Sequence, residues 1–398
     1  MAVLFQINVA ANWGSHGRIA EGIGEIVQSH GWDSYIAYGR YANPSKSHLI
    51  KVGGFYDQYL HGARSLLFDR HGLGSKGATW RLIQNIDYVQ PDIIQLHNIH
   101  GYYLNYPELF DYLSNLDVPV VWTLHDAWPF TGHCAFFDSV HCDRWKSGCY
   151  NCPQKGTYPP SILMDRSKRN YEQKRKCFTS LRNLTIVPVS NWLNGLLDES
   201  FLKDIPRVCI HNGVDMELFC PNDMQASFEP GKKVVLGVNS VWEKRKGLSD
   251  FAALRSLLDD QHVIVLVGLS RKQISHLPEG VIGIERTNNI QELSAYYSRA
   301  NVFVNPTYED NFPTTNLEAL ACGTPVITYQ TGGSPEAIDT DSGVVVPVGD
   351  VQALADSIQQ VCQEPKKSET CRKRVEQCFR KEDRYQEYYD LYSSLLKR

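Results

Sequence analysis

Long apolar runs, an excess of basic charge and an even set of cysteines are all missing from this sequence. No segment approaches the roughly 18 uncharged apolar residues that a transmembrane helix needs, and the N-terminal residues lack the basic start of a secretory signal. A net charge of −4 is not the overall electrostatic footprint of a nucleic-acid-binding protein. Because the eleven cysteines are odd in number, a complete disulfide framework is disfavoured. These absences predict a cytoplasmic protein with reduced thiols and no nucleic-acid partner.

The apolar segments that are present predict two doubly wound α/β domains. With 398 residues, 42% of them hydrophobic and 21% charged, the chain is too long for one ordinary core. Near-continuous apolar segments separated by helical patterns indicate parallel strands covered on both faces. These segments are residues 3–9, 34–39, 93–97, 118–125 and 184–190, and then residues 234–239, 263–268, 281–285, 301–306 and 324–329.

A polar segment rich in proline and glycine, residues 220–233, predicts a linker between the two groups of strands. We therefore expect Rossmann-like domains at residues 1–222, with a cysteine-rich insert at 132–156, and at residues 223–375. Residues 376–398 predict a helix that packs back towards the N-terminal domain. Two such domains facing each other would leave a cleft at the carboxyl ends of their strands, where ligands bind.

Two carboxylates, Asp310 and Glu318, stand on either side of a predicted helix start after the strand at 301–306. The spacing of Thr315 and Glu318 fits a capping box, which would put Glu318 in the first turn beside backbone N–H groups able to hold a diphosphate. On spacing alone, Glu318 is only a helix cap and Asp310 only a turn residue. At this point the structural and the ligand-binding interpretations are both open.

The stretch from residue 308 to residue 333 resembles the donor-site signature of the family 4 glycosyltransferases, which are retaining enzymes of the GT-B fold. The residues in register with that signature are Phe312, Pro313, Glu318, Ala319, Ala321, Gly323, Pro325, Val326, Gly332 and Gly333. Asp310 holds a position where the family usually has glutamate. The resemblance implies that Asp310 contacts the donor sugar, Glu318 binds the nucleotide ribose and the helix start carries the diphosphate. The donor-binding residues implied in this stretch are Phe312, Pro313, Thr314, Thr315 and Glu318.

Side chains near two further strand ends complete the donor site that the resemblance implies. Lys246, followed by Gly247, matches the family's diphosphate-binding pair. Arg245 would supply a second positive charge, because Ser240 stands where the family often has an arginine. Asn288 lies in the segment where the family usually holds the nucleotide base. Taken alone, the Lys-Arg-Lys run would be a solvated turn.

The N-terminal half contributes a glycine loop and a histidine. Gly14 and Ser15 follow the first strand without forming a G-x-G-x-x-G fingerprint, and a tight turn is the alternative to a contact with phosphate or acceptor. His125 ends a strand and resembles the family's histidine beside the transferred sugar; a structural role is its alternative. The resemblance thus implies His125, Asp310 and Lys246 as catalytic residues.

Four cysteines, Cys134, Cys142, Cys149 and Cys152, are spaced C-x7-C-x6-C-x2-C, and the last pair has the spacing of a zinc half-site. A structural zinc ion is one hypothesis for this insert; buried free thiols and a redox pair are the others. We expect no metal requirement for the chemistry itself, since no Asp-x-Asp lies in the predicted cleft loops.

Residues 54–86 form a long connection, and residues 166–176 form a strongly basic helical pattern. Together they could dock the N-terminal domain on an anionic bilayer and receive a lipid-linked glycan. The alternative is two ordinary surface helices.

We therefore expect a retaining glycosyltransferase that moves a hexose from a UDP- or GDP-sugar to a glycan or lipid-linked oligosaccharide in bacterial surface polysaccharide biosynthesis. The segments quoted above resemble most the colanic-acid-type branch of the family, with an N-terminal acceptor domain and a C-terminal donor domain. The expected location is the cytoplasm, with peripheral contact to the inner membrane as a hypothesis. Ser240 and Asp310, which depart from the family pattern, keep open a non-catalytic sugar-nucleotide-binding partner of a synthesis complex. A sugar-nucleotide epimerase of the same architecture is the third alternative.

Overall fold

The computed structural model describes residues 1–222 and 231–397, and contacts divide the chain into two units. The first unit comprises Met1–His211 and the residues from Arg384 onward, and the second comprises Asn212–Asp383. The predicted linker at 220–233 lies largely outside the described residues, which omit 223–230. The contact-based limits after residues 211 and 383 therefore differ from the predicted domain limits after residues 222 and 375.

The first unit alternates six strands with helices. Its strands are β1 (Val3–Ala11), β2 (Asp33–Ala42), β3 (His48–Lys51), β4 (Ile93–Leu96), β5 (Val120–Leu124) and β6 (Leu184–Pro188). Its helices are α1 (Gly14–Ser29), α2 (Phe55–Phe68), α3 (Lys76–Val89), α4 (Tyr106–Leu113), α5 (Ser167–Phe178) and α6 (Asn191–Glu199).

The second unit repeats this alternation. Its strands are β7 (Lys233–Val238), β8 (His262–Val267), β9 (Val281–Ile284), β10 (Val302–Asn305), β11 (Val326–Tyr329) and β12 (Gly343–Val346). Its helices are α7 (Leu248–Arg255), α8 (Arg271–Ile274), α9 (Ile290–Arg299), α10 (Thr314–Ala321), α11 (Val351–Gln363) and α12 (Ser368–Cys378). The last helix, α13 (Lys381–Leu396), begins in the second unit and continues into the first.

Each unit contains one parallel sheet, and the two sheets have the same strand order. The first runs β3-β2-β1-β4-β5-β6, and the second, read from its β9 edge, runs β9-β8-β7-β10-β11-β12. In both sheets the first strand along the chain lies in the middle. The next two strands are added on one side of it, and the last three are added on its other side. The prediction of two doubly wound α/β domains is confirmed. Ligands bind such sheets where the strand order reverses, between β1 and β4 and between β7 and β10.

The sequence analysis did not predict two of the strands, β3 and β12, and both lie at sheet edges. β3 has a mostly exposed His-Leu-Ile-Lys sequence, and β12 is also only partly buried. An edge strand is short and pairs on one side only, so it lacks the continuous apolar pattern of a central strand. By contrast, every residue of β5 is buried, which is why its sequence indicated a strand clearly.

Most of the predicted C-terminal helix at 376–398 is α13, and only residues 376–378 belong to the preceding helix α12. Within the first unit, α13 packs the buried rings of Tyr385, Tyr388 and Tyr392 into the core cluster that contains Ile19 and Ile23 of α1. The hydroxyl of Tyr392 also donates a 2.8 Å hydrogen bond to Gln95 Oε1 beneath the sheet.

Candidate active site

The second unit places an ion pair where its strand order reverses. Lys246 lies in the loop after β7 and Asp310 in the loop after β10, and these two strands are neighbours. Lys246 Nζ forms a salt bridge with Asp310 Oδ2, and only 13% and 19% of the two side chains are exposed. The sequence analysis selected both residues, and the tertiary structure brings them together across a gap of more than sixty residues.

Burial and charge act against each other in this pair. Burial disfavours the ionised carboxylate, but the positive charges of Lys246 and Arg245 outweigh it and hold the pKa of Asp310 below its usual value. Burial is the larger influence on Lys246, and its pKa is lowered although Asp310 opposes the shift. We conclude that Asp310 is a carboxylate at neutral pH and that the pair is held by mutual neutralisation, since a buried charge requires a partner.

Main-chain and side-chain hydrogen bonds join the two loops that carry the pair. Tyr308 N–H donates to the Arg245 carbonyl at 2.7 Å, and Arg245 Nη1 donates back to the Glu309 carbonyl at 3.0 Å. Asp250 at the start of α7 accepts hydrogen bonds from Tyr308 Oη at 2.9 Å and from Tyr329 Oη at 2.6 Å. Sequence reasoning missed Asp250, because its two tyrosine partners come from distant segments of the chain.

Two glycines allow the loops to approach this closely. Gly247 has a φ of +71°, and a Cβ there would lie 2.2 Å from the Pro306 carbonyl oxygen. Gly332 has a φ of +54°, and a Cβ there would lie 1.8 Å from the Asp310 carbonyl oxygen. Only glycine fits such positions without strain. Gly247 of the diphosphate-binding pair and Gly332 of the donor-site signature therefore both have a structural reason to be glycine.

The helix beside the pair, α10, starts earlier than the capping box requires. Pro313 is the N-cap and makes no side-chain cap, so Thr315 and Glu318 do not form the predicted box. Glu318 is the fifth residue of the helix, and its Oε2 accepts a 3.0 Å hydrogen bond from Tyr297 Oη of α9. The capping interpretation is therefore wrong, because the proline and the preceding loop determine where the helix begins. Thr314 and Thr315 form its first turn, whose N–H groups have no partner within the helix.

Phe312 and Asn288, two other predicted donor-binding residues, have structural partners in the second unit. The Phe312 ring is buried and lies 5.6 Å from the ring of Phe379, centroid to centroid. Asn288 precedes α9, and its amide Nδ2 donates a 2.9 Å hydrogen bond to Glu292 Oε2. Asn288 follows β9, an edge strand two places from β7, so the structure does not group it with Lys246 and Asp310.

At the corresponding position of the first unit, buried and partly buried imidazoles replace the ion pair. His97 follows β4 and His125 follows β5, and His97 Nδ1 lies 3.2 Å from His125 Nε2. The ring of His16 at the start of α1 lies 6.2 Å from that of His125. Gly14 and Ser15 begin the same helix, and a Cβ at Gly14 would meet no atom within 4 Å. The structure thus brings three predicted residues to one sheet edge and adds His16 and His97.

Hydrogen bonds define which nitrogen of each ring carries the proton. Gln6 Nε2 donates to the Ala20 carbonyl at 2.8 Å, so its Oε1 faces His97 Nε2 at 3.0 Å and accepts from it. His97 Nδ1 is then an acceptor, and His125 Nε2 must carry the proton that it receives. Burial lowers the pKa of His97 to about 3 and that of His125 well below 6.5. The neutral His125 ring therefore has an unprotonated Nδ1.

A second buried pair lies beside these rings. His100 Nε2 lies 2.8 Å from Asp126 Oδ2, and His100 Nδ1 lies 3.0 Å from the hydroxyl of Tyr158. Although burial opposes it, the nearby imidazole of His100 lowers the pKa of Asp126. The sequence signal for His97 and His100 was the His-Asn-Ile-His that follows a buried strand, which the sequence analysis did not use.

Two family profiles match the chain in succession. The profile described as Glycosyltransferase Family 4 matches residues 23–218, and the profile described as Glycosyl transferases group 1 matches residues 232–364. The first match contains His97 and His125, and the second contains Lys246, Asp310 and Glu318. This chain is a family 4 glycosyltransferase. It is an enzyme of the retaining hexosyltransferase type, as the resemblance implied.

Similar proteins agree with this assignment. The putative colanic acid biosynthesis glycosyl transferase WcaC of Escherichia coli K12 is 25% identical over 367 residues, which cover 88% of this chain and 89% of that protein. Sucrose-phosphate synthase of Thermosynechococcus elongatus superposes with a TM-score of 0.73 at 19% identity, over 100% of both chains. HepE of Anabaena, in complex with UDP, superposes with a TM-score of 0.66 at 13% identity, over 99% of this chain and 100% of that one. The predicted GT-B fold is confirmed.

The cysteine-rich insert of this glycosyltransferase holds free thiols. Cys134 and Cys149 are buried, Cys142 and Cys152 are partly buried, and Gly132 N–H donates to Cys149 Sγ at 3.1 Å. A hydrogen bond from Cys134 lowers the pKa of Cys152 to about 7. Among residues 1–222 and 231–397, no group of three or more His, Cys, Asp or Glu side chains is arranged to hold a metal ion. The zinc hypothesis therefore gains no support, because spacing along the chain does not bring these four sulfurs into a coordinating arrangement.

In the part of the chain that the structure describes, no helix is long and apolar enough to cross a bilayer.

Proposed function

We propose that this enzyme transfers a hexose, with retention of anomeric configuration, from a nucleoside-diphosphate sugar to a glycan or lipid-linked oligosaccharide. The observation that carries the proposal is the partly buried Lys246–Asp310 pair at the strand-order reversal of the second unit, with Asp310 four residues before the start of α10. A positive side chain, a helix N-terminus and a carboxylate are together suited to a diphosphate leaving group attached to a sugar.

In this proposal the charges have separate roles. Lys246 and Arg245 offset the negative charge that develops on the departing nucleoside diphosphate, and the first-turn N–H groups of α10 donate to its phosphate oxygens. Asp310 stands by the sugar, where a carboxylate stabilises an oxocarbenium-like transition state. Glu318, held by the Tyr297 hydroxyl, accepts hydrogen bonds from the two ribose hydroxyls.

We assign His125 a contact with the transferred sugar. The hydrogen bond from its Nε2 to His97 fixes the orientation of the ring at the carboxyl end of β5, and an uncharged imidazole suits a contact with an uncharged sugar.

The acceptor is proposed from relatives. WcaC of Escherichia coli is named for colanic acid biosynthesis, and CapM of Staphylococcus aureus, 32% identical over 114 residues covering 27% of this chain and 30% of that protein, is named for capsular polysaccharide biosynthesis. We accordingly propose a role in the synthesis of a bacterial surface polysaccharide.

The first experiment is a thermal-shift panel with UDP, GDP, ADP and TDP on three proteins: wild type, Glu318→Ala and Glu279→Ala. A ligand at about 100 times its dissociation constant should stabilise the native protein by about 2.7 kcal/mol. One diphosphate should stabilise wild type and the Glu279→Ala control, whose glutamate is exposed in a loop, but not Glu318→Ala. If none of the four stabilises wild type, the donor-site assignment is wrong.

A second measurement tests the chemistry. The sugar derivative of the stabilising diphosphate should release that diphosphate when an acceptor glycan is added, and NMR of the product should show the anomeric configuration of the donor. Inversion of that configuration would contradict the proposal.

A further inference from the structure

Helix α2 has its polar face inside and its apolar face outside. The buried residues of α2 are His61 and Ser65, and His61 Nε2 accepts hydrogen bonds from the N–H groups of Gly72 and Gly74 at 3.1 and 3.2 Å. These bonds fix the orientation of the helix on the first unit. The reverse is usual, since a surface helix normally buries its apolar stripe against the core.

The outward face of α2 is rich in large apolar side chains. Tyr56 is 79% exposed and Phe55 is 75% exposed, and Tyr59, Leu60 and Leu67 continue the stripe at helical spacing. A loop adjoins the C-terminal end of this stripe, because Ile162 N–H donates to the Leu66 carbonyl at 2.7 Å. We define the α2 patch as the exposed residues Phe55, Tyr56, Tyr59, Leu60, Leu66, Leu67, Phe68, Ile162, Leu163 and Met164.

Arginines are interspersed with the α2 patch and follow it. Arg64 lies on the exposed face of α2, and Arg70 follows the helix. Arg166 N–H donates to Asp69 Oδ2 at 2.7 Å, which brings Arg166 beside Arg70, and Arg169 lies in the first turn of α5, which Arg166 precedes. Burial, and then the positive charges of Arg70 and Arg169, lower the pKa of Arg166. Within the described residues neither Arg64 nor Arg70 forms an ion pair, so their charges are available to a ligand.

Two carboxylates lie beside this arginine cluster, and the exposed one, Asp165, accepts hydrogen bonds from the N–H groups of Cys152 and Ser167 at 2.6 and 2.8 Å. Asp69 is buried, with Oδ1 at 2.6 Å from His133 Nδ1 and Oδ2 accepting from Arg166 N–H at 2.7 Å. Asp57, at the other end of α2, accepts from Gly54 N–H at 2.9 Å and lies 3.4 Å from Arg81. The surface around the α2 patch is therefore apolar and cationic, with its two helix-end acids already engaged.

We propose that the α2 patch is the surface by which this glycosyltransferase lies on an anionic lipid bilayer. Tyrosine and phenylalanine side chains would enter the boundary between headgroups and acyl chains, and Arg64, Arg70, Arg166 and Arg169 would bind the phosphates. This combination of an apolar stripe and arginines matches an interfacial helix, and charge complementarity selects an anionic membrane as the occupant. The inference concerns binding alone and does not rest on the proposed donor or acceptor.

Co-sedimentation with vesicles tests the proposal. The vesicles are phosphatidylcholine alone or phosphatidylcholine with phosphatidylglycerol at about 30 mol%, and the protein is the full chain without donor. Wild type should bind the anionic vesicles at least about tenfold more tightly than the neutral ones, since each basic residue at the surface contributes to attraction.

Two pairs of variants separate apolar from electrostatic contributions. Tyr56→Ser/Leu60→Ser should weaken binding at least tenfold, whereas Tyr88→Ser/Leu396→Ser, which removes an exposed tyrosine and leucine elsewhere, should not change it. Arg64→Gln/Arg70→Gln should abolish the preference for anionic vesicles, whereas the exposed Arg182→Gln/Lys203→Gln pair should keep it. Because all these side chains are exposed, the variants should melt at the wild-type temperature, which circular dichroism checks.

Three outcomes would overturn the proposal. One is no vesicle binding by wild type, and another is equal loss in the patch variants and their controls. The third is concentration-dependent dimerisation in sedimentation velocity that Tyr56→Ser/Leu60→Ser removes, without vesicle binding, since the patch would then bind a second copy. The diphosphate thermal shift, measured on the same variants, reports the donor site separately, so failure of either proposal is recognised on its own.

Discussion

The two sheets have the same strand order, yet the loops at their reversal points have opposite electrostatic character. In the first unit, His97 is buried, His16 and His125 are partly buried, and all three rings are uncharged at neutral pH. In the second unit, Lys246 and Asp310 are partly buried and form an ion pair. The strand order specifies where a ligand is to bind, and the loop residues alone decide what kind of ligand that is.

The physical cause of the difference is the presence or absence of a compensating charge. Burial penalises any charged group, and at His97 the neighbouring titratable group is another imidazole, so the ring stays neutral. At Asp310, two cations outweigh the same penalty and the carboxylate stays ionised. A neutral, hydrogen-bonding edge suits a sugar, and a charged edge suits a diphosphate, which agrees with the roles proposed for the two units.

Removing the positive charge of Lys246 should have the largest effect on the difference between the two sheets. Lys246→Ala should reduce kcat/KM for the donor by about 100- to 1,000-fold, the usual loss when one stabilising group is removed from a transition state. It should also lower the melting temperature, since Asp310 would be left buried without its partner. Steady-state kinetics and calorimetry measure both effects.

The matched control for that prediction is Lys244→Ala, because Lys244 is exposed in the same turn. Its kinetics should stay within about twofold of wild type. In Lys246→Ala/Asp310→Ala, part of the lost stability should return without activity. Full activity in Lys246→Ala would contradict the proposal that the second unit binds the diphosphate through a positive charge while the first unit binds the sugar through neutral groups.

Crowding around the backbone should also distinguish the loop after β7 in the second unit from the loop after β1 in the first unit. Gly247→Ala places a Cβ 2.2 Å from a carbonyl oxygen at a φ of +71°, so we expect a loss of at least about 3 kcal/mol in the free energy of unfolding. Gly14→Ala has a similar φ of +66° but open space around the new Cβ, so only the backbone strain of about 1–2 kcal/mol should appear. Urea unfolding of both variants measures the difference, and equal losses would mean that the loops of the second unit can move apart.

The most gradual effect concerns pH, because it amounts to at most about 1.4 kcal/mol for each pH unit. His97 has a folded-state pKa of about 3 against a usual 6.5, so below pH 6.5 the unfolded chain binds a proton that the native ring does not. The stability contributed by this neutral ring is complete above pH 6.5 and falls as pH drops towards 3. Asp310, with its pKa below 3.8, should cost the second unit stability only under more acidic conditions.

His97→Gln should therefore flatten the dependence of unfolding free energy on pH between about 4 and 6.5, by up to about 1.4 kcal/mol per pH unit. His276→Gln, which replaces an exposed histidine of the second unit, is the control and should leave the dependence nearly unchanged. Calorimetry across that pH range makes the comparison. An unchanged slope in His97→Gln would mean that the buried ring is protonated.

Much of the fold and part of the site could be predicted from local sequence. Buried strands such as β5 can be predicted from an uninterrupted apolar run. Asp310 and Glu318 could be selected because they stand in the donor-site signature, and Lys246 because it stands in the diphosphate-binding pair. The capping box at Thr315 could not be judged locally, because a helix start depends on the loop that feeds it and Pro313 lies two residues earlier. The four cysteines show the same limit, since their spacing suits zinc while no three of them in the described insert are arranged to hold a metal ion.

The sequence by itself determined the alternation of strands and helices, the two-domain organisation and the family, since these depend on short-range patterns that each segment carries alone. Only the tertiary structure decided that Lys246 meets Asp310, that Tyr297 holds Glu318, that His97 orients His125, and that α2 presents its apolar face outward. Those arrangements join side chains far apart in the chain. Their partners are selected by which loops the folded sheets bring together, and their protonation by the burial and neighbouring charge that result.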